Sequence, residues 1–355
     1  MFVALRDLRF AKGRFVLIGS VVALITVLVG FLSGLTGGLA VQNVSAVLTL
    51  PADRLAFTVP AGDDAAAFAT SAPTRDQADA ISVTPGVTRV DPLGISQLRA
   101  ETTETGAAVA VFGVPAGFTP TSPSGAGSVT LSASAADELG AAIGDELTIG
   151  GTSLRVESIG PDAWYSHTPV VEVSIDDWRE LAASTGTPDA FATVLAVTGE
   201  PDWEAVDADT GVVTETLAGS LTALAAFRSE IGSLLLMVVM LFGISGLVIG
   251  AFFTVWTMQR QNDVAVLKAL GASTASLARD ALGQALLLLL AGIGTGVAIV
   301  VLLGTFAGQA LPFLLSPLTT LVPGAIMVAL GLAGAAFALR SVTTADPLTA
   351  LGGNR

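Results

Sequence analysis

The 355-residue chain contains no cysteine, one histidine, one tyrosine and two lysines, Lys12 and Lys268. Without cysteine there is no disulfide, no thiolate zinc site, no iron–sulfur cluster and no thiol nucleophile. A single histidine excludes a His-clustered metal site and argues against a Ser-His-Asp triad. Charge is scarce as well, at 13% of residues against about 25% in an ordinary soluble protein. The mean hydropathy is +0.73. The net charge of −14 lacks the basic face that nucleic acid demands. A phosphate-binding loop of the form GxxxxGK[ST] is also missing, since Gly13 follows Lys12 and Ala269 follows Lys268; such a loop needs its lysine to reach the phosphates.

The charge that remains is unevenly placed. Three stretches carry none: 15–52, 231–259 and 281–339. About 20 apolar residues cross a bilayer as a helix. The first two stretches supply one span each. The third, broken by Pro312, Pro317 and Pro323, supplies two. Four spans put both termini on one side. The segments 1–14, 260–280 and 340–355 hold nine basic and four acidic residues, a net of +5, whereas 53–230 holds seven basic and 26 acidic, a net of −19. Basic residues stay cytoplasmic. The expectation is therefore a multi-pass plasma-membrane protein with both termini cytoplasmic and 53–230 outside. The apolar run near the N-terminus exceeds the 7–15 residues of a signal peptide and reads as a retained helix. Ahead of it, Phe2, Leu5 and Leu8 beside Arg6, Arg9 and Lys12 read as an amphipathic helix lying on lipid.

The fold class expected is an α-helical membrane protein with four transmembrane helices, one plus three, and a mixed α/β extracytoplasmic domain between the first and second. The segments are 1–14, a cytoplasmic amphipathic helix; 15–40, the first membrane helix; 45–215, the outer domain; 216–258, a helical stalk running into the second membrane helix; 259–275, a cytoplasmic coupling segment; 276–308 and 318–340, the third and fourth helices; and 341–355, a cytoplasmic tail. In the outer domain Thr74 reads as a helix cap, Gly150-Gly151 as a hairpin turn and 115–127 as a loop. Gly30, Gly34 and Gly38 recur every fourth residue on the first helix, a spacing that lets backbones approach closely. That face is expected to be a contact, with a second copy of the chain as one partner for it.

Two engines for transport work are missing: the phosphate loop, and ionisable groups at mid-membrane depth, which ion-driven transporters carry. If the chain does transport work, a separate partner must supply the energy. The segment 260–273 offers it a surface, because Asn262 and Asp263 suit a helix start, Lys268 the last turn and Gly271 a stop. Val264, Leu267 and Leu270 give that helix one apolar face, which suits either a partner protein or lipid.

RQNDVAVLKALGAS at 260–273 and SVTLSASAADELGAAIGDEL at 128–147 resemble the coupling segment and outer-domain core of FtsX/MacB-like (type VII) ABC-transporter permeases, in order and around a one-plus-three layout. The resemblance implies a homodimer with two separate ATP-binding subunits that bind ATP and Mg, and no enzyme activity or cofactor in this chain. It places ATPase coupling on Asp263, Val264, Leu267, Lys268, Leu270 and Gly271. The opening 40 residues, LPADRLAF at 50–57 and AWYSHTPVV at 163–171 are most similar to actinobacterial HrtB-type haem-exporter permeases. The function implied is outward movement of an amphipathic substrate, haem foremost. The alternative is a non-transporting mechanotransmitter that passes ATP hydrolysis to an outer partner.

Haem iron is held by His, Cys, Met or Tyr, and this chain has few of these near the outer end of its spans. The substrate-binding candidates are Glu230, Arg228, Met237, Tyr165 and His167. Glu230 is the proposed ligand to haem iron, and Arg228 a partner for a propionate. Each also has a plain reading: an interfacial charge, a lipid-facing methionine, a loop tyrosine and histidine.

Overall fold

The structure, a computed structural model, describes residues 12–62, 65–260, 266, 268 and 270–343. The expected amphipathic helix of 1–14 and the tail of 341–355 fall almost wholly outside these. The chain divides into two compact units, Leu39–Gly232 and the pair Met1–Gly38 with Ser233–Arg355.

The Leu39–Gly232 unit is built on ten strands. They are β1 (Arg54–Phe57), β2 (Val87–Glu101), β3 (Gly106–Val114), β4 (Ser128–Ser132), β5 (Glu146–Ile149), β6 (Thr152–Gly160), β7 (Trp164–Tyr165), β8 (Thr168–Ser174), β9 (Val194–Gly199) and β10 (Val213–Thr216). The sheet order is β10-β1-β9-β2-β3-β8-β4-β6-β5, and β7 pairs with β8. The long β2 serves two sheets. Val87–Leu93 pairs with β9, while Gly94–Glu101 pairs with β3. The end of β2 also meets β5, at Ala100↔Ile149, so the strands from β2 to β5 close on themselves. Val111, Leu131, Leu147, Leu154 and Val173 fill that closure. Trp178 is buried with them and donates its indole N–H to Ser96 Oγ at 3.0 Å. Gly94 and Gly113 face each other across β2 and β3, and a Cβ on either would fall inside the Trp178 side chain.

The helices of this unit begin and end on recognisable signals. Helix α2 (Arg75–Ser82) carries the full capping box of Thr74 and Gln77, which satisfies two orphan N–H groups. Helix α3 (Ala133–Leu139) is capped by Ser132 and stopped by Gly140 at φ 61°, a conformation favouring glycine. Helix α4 (Ile175–Ser184) and helix α5 (Trp203–Thr210) are capped by Ser174 and Asp202. Gly150-Gly151 forms the expected hairpin turn between β5 and β6, with Ile149 opposite Thr152.

One expectation changes. Residues 216–224 are not part of a helical stalk. After Gly211 closes α5, the β-branched run Val212-Val213-Thr214 feeds β10, which pairs with β1. A short 3-10 turn, Gly219–Ala223, follows, and Thr216 Oγ1 accepts the Gly219 N–H at 3.0 Å. Helix α6 begins only at Ala225 and runs to Gln259.

Four helices are long and apolar enough to cross a membrane; the third and fourth fall wholly in the other unit, while the last residues of the first and the first residues of the second belong to Leu39–Gly232. Helix α1 (Lys12–Leu48) has 37 residues, about 55 Å at 1.5 Å per residue, so it outlasts the hydrocarbon core of about 30 Å and passes the expected end at 40. Helix α6, with 35 residues, does the same. Helix α7 is Thr274–Ala307 and helix α8 is Pro317–Thr343. Ser316 caps α8 by accepting the Thr319 N–H at 3.2 Å, and Pro317 takes the first helical position, where no N–H is needed.

Glycines set the packing here. Gly292 and Gly296 of α7 leave room for Val22 and Thr26 of α1. Gly34 faces the Phe313 ring, and Gly38 faces the Pro312 carbonyl; the Gly34 carbonyl also accepts the Leu314 N–H at 3.0 Å. The glycine face of α1 is thus a contact face, but it is filled by Val300 of α7 and by the α7–α8 connection of the same chain rather than left open for a second copy. Helix α6 is the least covered of the four, with Leu236 and Leu247 exposed at 61% and 75%.

Candidate functional site

The last turns of α1 are the foundation of the site. Val44, Val47 and Leu50 bury against Phe57, Phe112 and Tyr165, which leaves Asn43 fully buried in the same stretch of helix. The β7–β8 turn lies on this helix. Ser166 donates its backbone N–H to the Asn43 carbonyl at 2.9 Å, and His167 donates to the Gln42 carbonyl at 3.0 Å. Both turn residues have positive φ, 49° and 65°, and they separate the paired residues Tyr165 and Thr168. Such a two-residue turn normally takes Asn-Gly. For Ser and His it costs about 1–2 kcal/mol each, and the two bonds to α1 hold it in place.

The turn aims His167 at Glu230. Its Nε2 lies 2.6 Å from Glu230 Oε2, and Asn43 donates from Nδ2 to the same oxygen at 3.2 Å. A carboxylate oxygen accepts only, so Nε2 carries a hydrogen. The 3.3 Å approach of Asn43 Nδ2 to His167 Nε2 is then a contact between two donors that share one acceptor. Asn43 Oδ1 is buried with no partner. His167 and Glu230 are 34% and 30% exposed, so the pair contributes about 1 kcal/mol. Loss of the Glu230 carboxylate also strands the buried Asn43 N–H, a cost of about 1–3 kcal/mol.

Two of the five sequence candidates therefore meet, and the other three do not join them. Tyr165 is 6% exposed, its ring edge-on to Phe68 and Phe112. Burial pushes its phenol well above the ordinary range, which opposes the phenolate that iron would require. Arg228 lies on the same helix as Glu230 but lines a separate cavity of about 300 Å³ with Ala66, Thr70 and Ala225. Met237 belongs to the other unit and is 53% exposed. The residue that sequence reasoning missed is Asn43. Its signal was present: a carboxamide inside the long uncharged run that opens the chain.

In the coupling segment, Asp263, Val264 and Leu267 lie outside the described residues. Leu270 donates its N–H to the Val266 carbonyl at 3.0 Å and Gly271 to the Lys268 carbonyl at 3.0 Å. Gly271 has φ 93° and ends the turn as expected. Leu270 is 79% exposed.

Residues 235–347 match the model of the FtsX-like permease C-terminal domain. That part of the chain is similar to the C-terminal domain of FtsX-like permeases. Over its whole length it is similar to proteins named as transporter subunits. It is 24% identical over 364 residues to a protein of Staphylococcus haemolyticus that carries the name hemin transport system permease protein HrtB, with 99% of each chain covered. It is 27% identical over 369 residues to an uncharacterized ABC transporter permease of Mycobacterium tuberculosis, again with 99% of each covered. Among solved structures, the periplasmic region of MacB from Actinobacillus actinomycetemcomitans covers 48% of this chain and 92% of its own, at 10% identity and a TM-score of 0.36. The likeness is to membrane permeases, and the described residues include four helices long and apolar enough to cross a membrane.

Proposed function

We propose that the chain is an FtsX-like permease, the membrane subunit of an exporter that moves an amphipathic substrate outward, with haem the first to test. Two copies of the chain work with two copies of a separate ATP-binding subunit, which holds ATP and Mg. Both termini and the 259–275 segment face the cytoplasm, and 53–230 faces outward, in keeping with the net charges of +5 and −19 and the rule that basic residues stay inside.

The observation that carries the reading is the convergence of Asn43 and His167 on one oxygen of Glu230, directly before the uncharged run 231–259. Polar groups at the end of an apolar helix are costly unless used or paired, and these stay one-third open. Glu230 and His167 are the two groups there that can ligate iron. In the haem-loaded complex, the expected result is that Glu230→Gln and His167→Ala each shift the Soret band and weaken haem binding, while basal ATP hydrolysis by the partner persists. If both variants keep the wild-type spectrum and affinity, the cluster is a structural contact.

A second reading, mechanical transmission to an outer partner, has its own support. The β7–β8 turn is bonded to the α1 backbone through Ser166 and His167, so displacement of that helix reaches the turn directly. Unaltered ATP-dependent function in a chain that binds no amphiphile would favour it.

A further inference from the structure

A second cavity lies on the outside of the closed strands of the Leu39–Gly232 unit. Strand β8 alternates: Val171 and Val173 point into the closure, and Glu172 takes the opposite face, across from Thr130 of β4. The loop after β3 folds over this face, pinned by the Thr119 N–H on Ser122 Oγ at 2.8 Å. Thr119 Oγ1 then donates to Glu172 Oε2 at 3.1 Å. Between loop and sheet is a cavity of about 270 Å³, walled by Pro51, Pro120 and Pro161 and edged by Thr49, Thr121 and Glu172.

Glu172 is largely buried there, and burial raises its pKa above the ordinary carboxylate value. Among the described residues it makes no ion pair, and no basic residue lines the cavity. The other acid, Asp162, is occupied: it accepts from Ser134 and, at 2.8 Å, from the Trp164 indole. A largely buried carboxylate with one hydroxyl partner is an unfavourable arrangement for an empty protein.

We propose that this cavity binds a small aliphatic amine, with its ammonium on Glu172 and its methylene chain between the three prolines. The chemistry narrows the ligand. Thr119 already donates to one carboxylate oxygen, which leaves the other oxygen unshared for a point charge and disfavours a guanidinium, whose bidentate grip engages both. Among the described residues no cluster of three His, Asp or Glu exists to hold a metal ion. At about 270 Å³ the cavity falls just below the range of drug-sized ligand pockets, which starts at about 300 Å³, and so suits a small ligand. The threonine hydroxyls accept the remaining ammonium hydrogens. The site is separate from the Asn43, His167 and Glu230 cluster and does not depend on which molecule the permease moves.

Titration calorimetry on the full-length chain in lipid nanodiscs at pH 7.5, with spermidine as the probe, tests this. One saturable site is expected, weakened about ten-fold, or about 1.4 kcal/mol, in Glu172→Gln. Thr119→Val should bind at least as well as wild type, because it frees the second oxygen. Glu180→Gln, at an exposed acid of the same unit, serves as the control and should bind as wild type. Absence of saturable binding, or equal effects of Glu172→Gln and Glu180→Gln, would overturn the proposal, the latter because it marks diffuse attraction to an acidic surface.

Discussion

Glu172 and Glu230 are both partly buried carboxylates, and the chain treats them in opposite ways. Glu230 receives an imidazole and a carboxamide. Glu172 receives one threonine hydroxyl, and burial raises its pKa. A carboxyl whose folded pKa lies above its unfolded value favours folding when protonated. That stability is fully present below the unfolded pKa and is lost as pH rises through the folded pKa. Glu172→Gln mimics the protonated form. It should raise the thermal midpoint over wild type at about pH 8, and the difference should vanish near pH 4, below the unfolded pKa of about 4.3. A difference independent of pH would assign the effect to packing. These environments were only partly legible in the residues. His167 and Glu230 stood out because the chain has one histidine and few acids beside its apolar runs. Asn43 and Glu172 did not, because the groups that surround them come from distant strands and loops.

At the scale of elements, local chemistry was readable and long-range pairing was not. The Thr74–Gln77 box and the Gly150-Gly151 turn formed as their spacing required. The parallel pairs β3 with β8 and β4 with β6, and the closure of β2 on β5, leave no local trace. The stalk expected before α6 failed for a related reason: alternating Val213 to Thr216 found a strand partner in β1, far away in sequence. The glycines of α1 were identified as a contact face, yet their spacing does not say whose side chains fill it. The structure gives the answer as Phe313 and Pro312, and this is testable. A Cβ at Gly38 would meet the Pro312 carbonyl, part of a backbone that cannot swing away, whereas a Cβ at Gly19 meets nothing within 4 Å. Gly38→Ala should destabilise the membrane helices by about 1–3 kcal/mol, seen as a lower thermal midpoint in detergent. Gly19→Ala should be neutral or mildly stabilising, since alanine favours helix. Equal midpoints for the two variants would contradict the assigned contact.

For the whole molecule, the distribution of charge was the most informative part of the sequence. Uncharged runs marked the four spans, and the acidic insert marked the α/β unit between the first two. The residues 235–347 that match the permease domain include the second, third and fourth helices and the loop where a partner is expected. The sequence holds no phosphate loop, and under our proposal the ATP-driven step falls to that partner. In the function proposed here, nucleotide hydrolysis in a second protein drives an amphiphile outward through this one. The most direct test uses the purified complex of this chain with its ATP-binding partner in inside-out vesicles loaded with ATP on the outer face. The lumen then corresponds to the cell exterior, and it carries a haem-binding reporter. The expected result is that ATP drives haem into the lumen, that a non-hydrolysable ATP analogue does not, and that Glu230→Gln abolishes the movement while hydrolysis continues. Haem uptake that is independent of ATP, or ATP hydrolysis in wild type with no haem reaching the lumen, would contradict it.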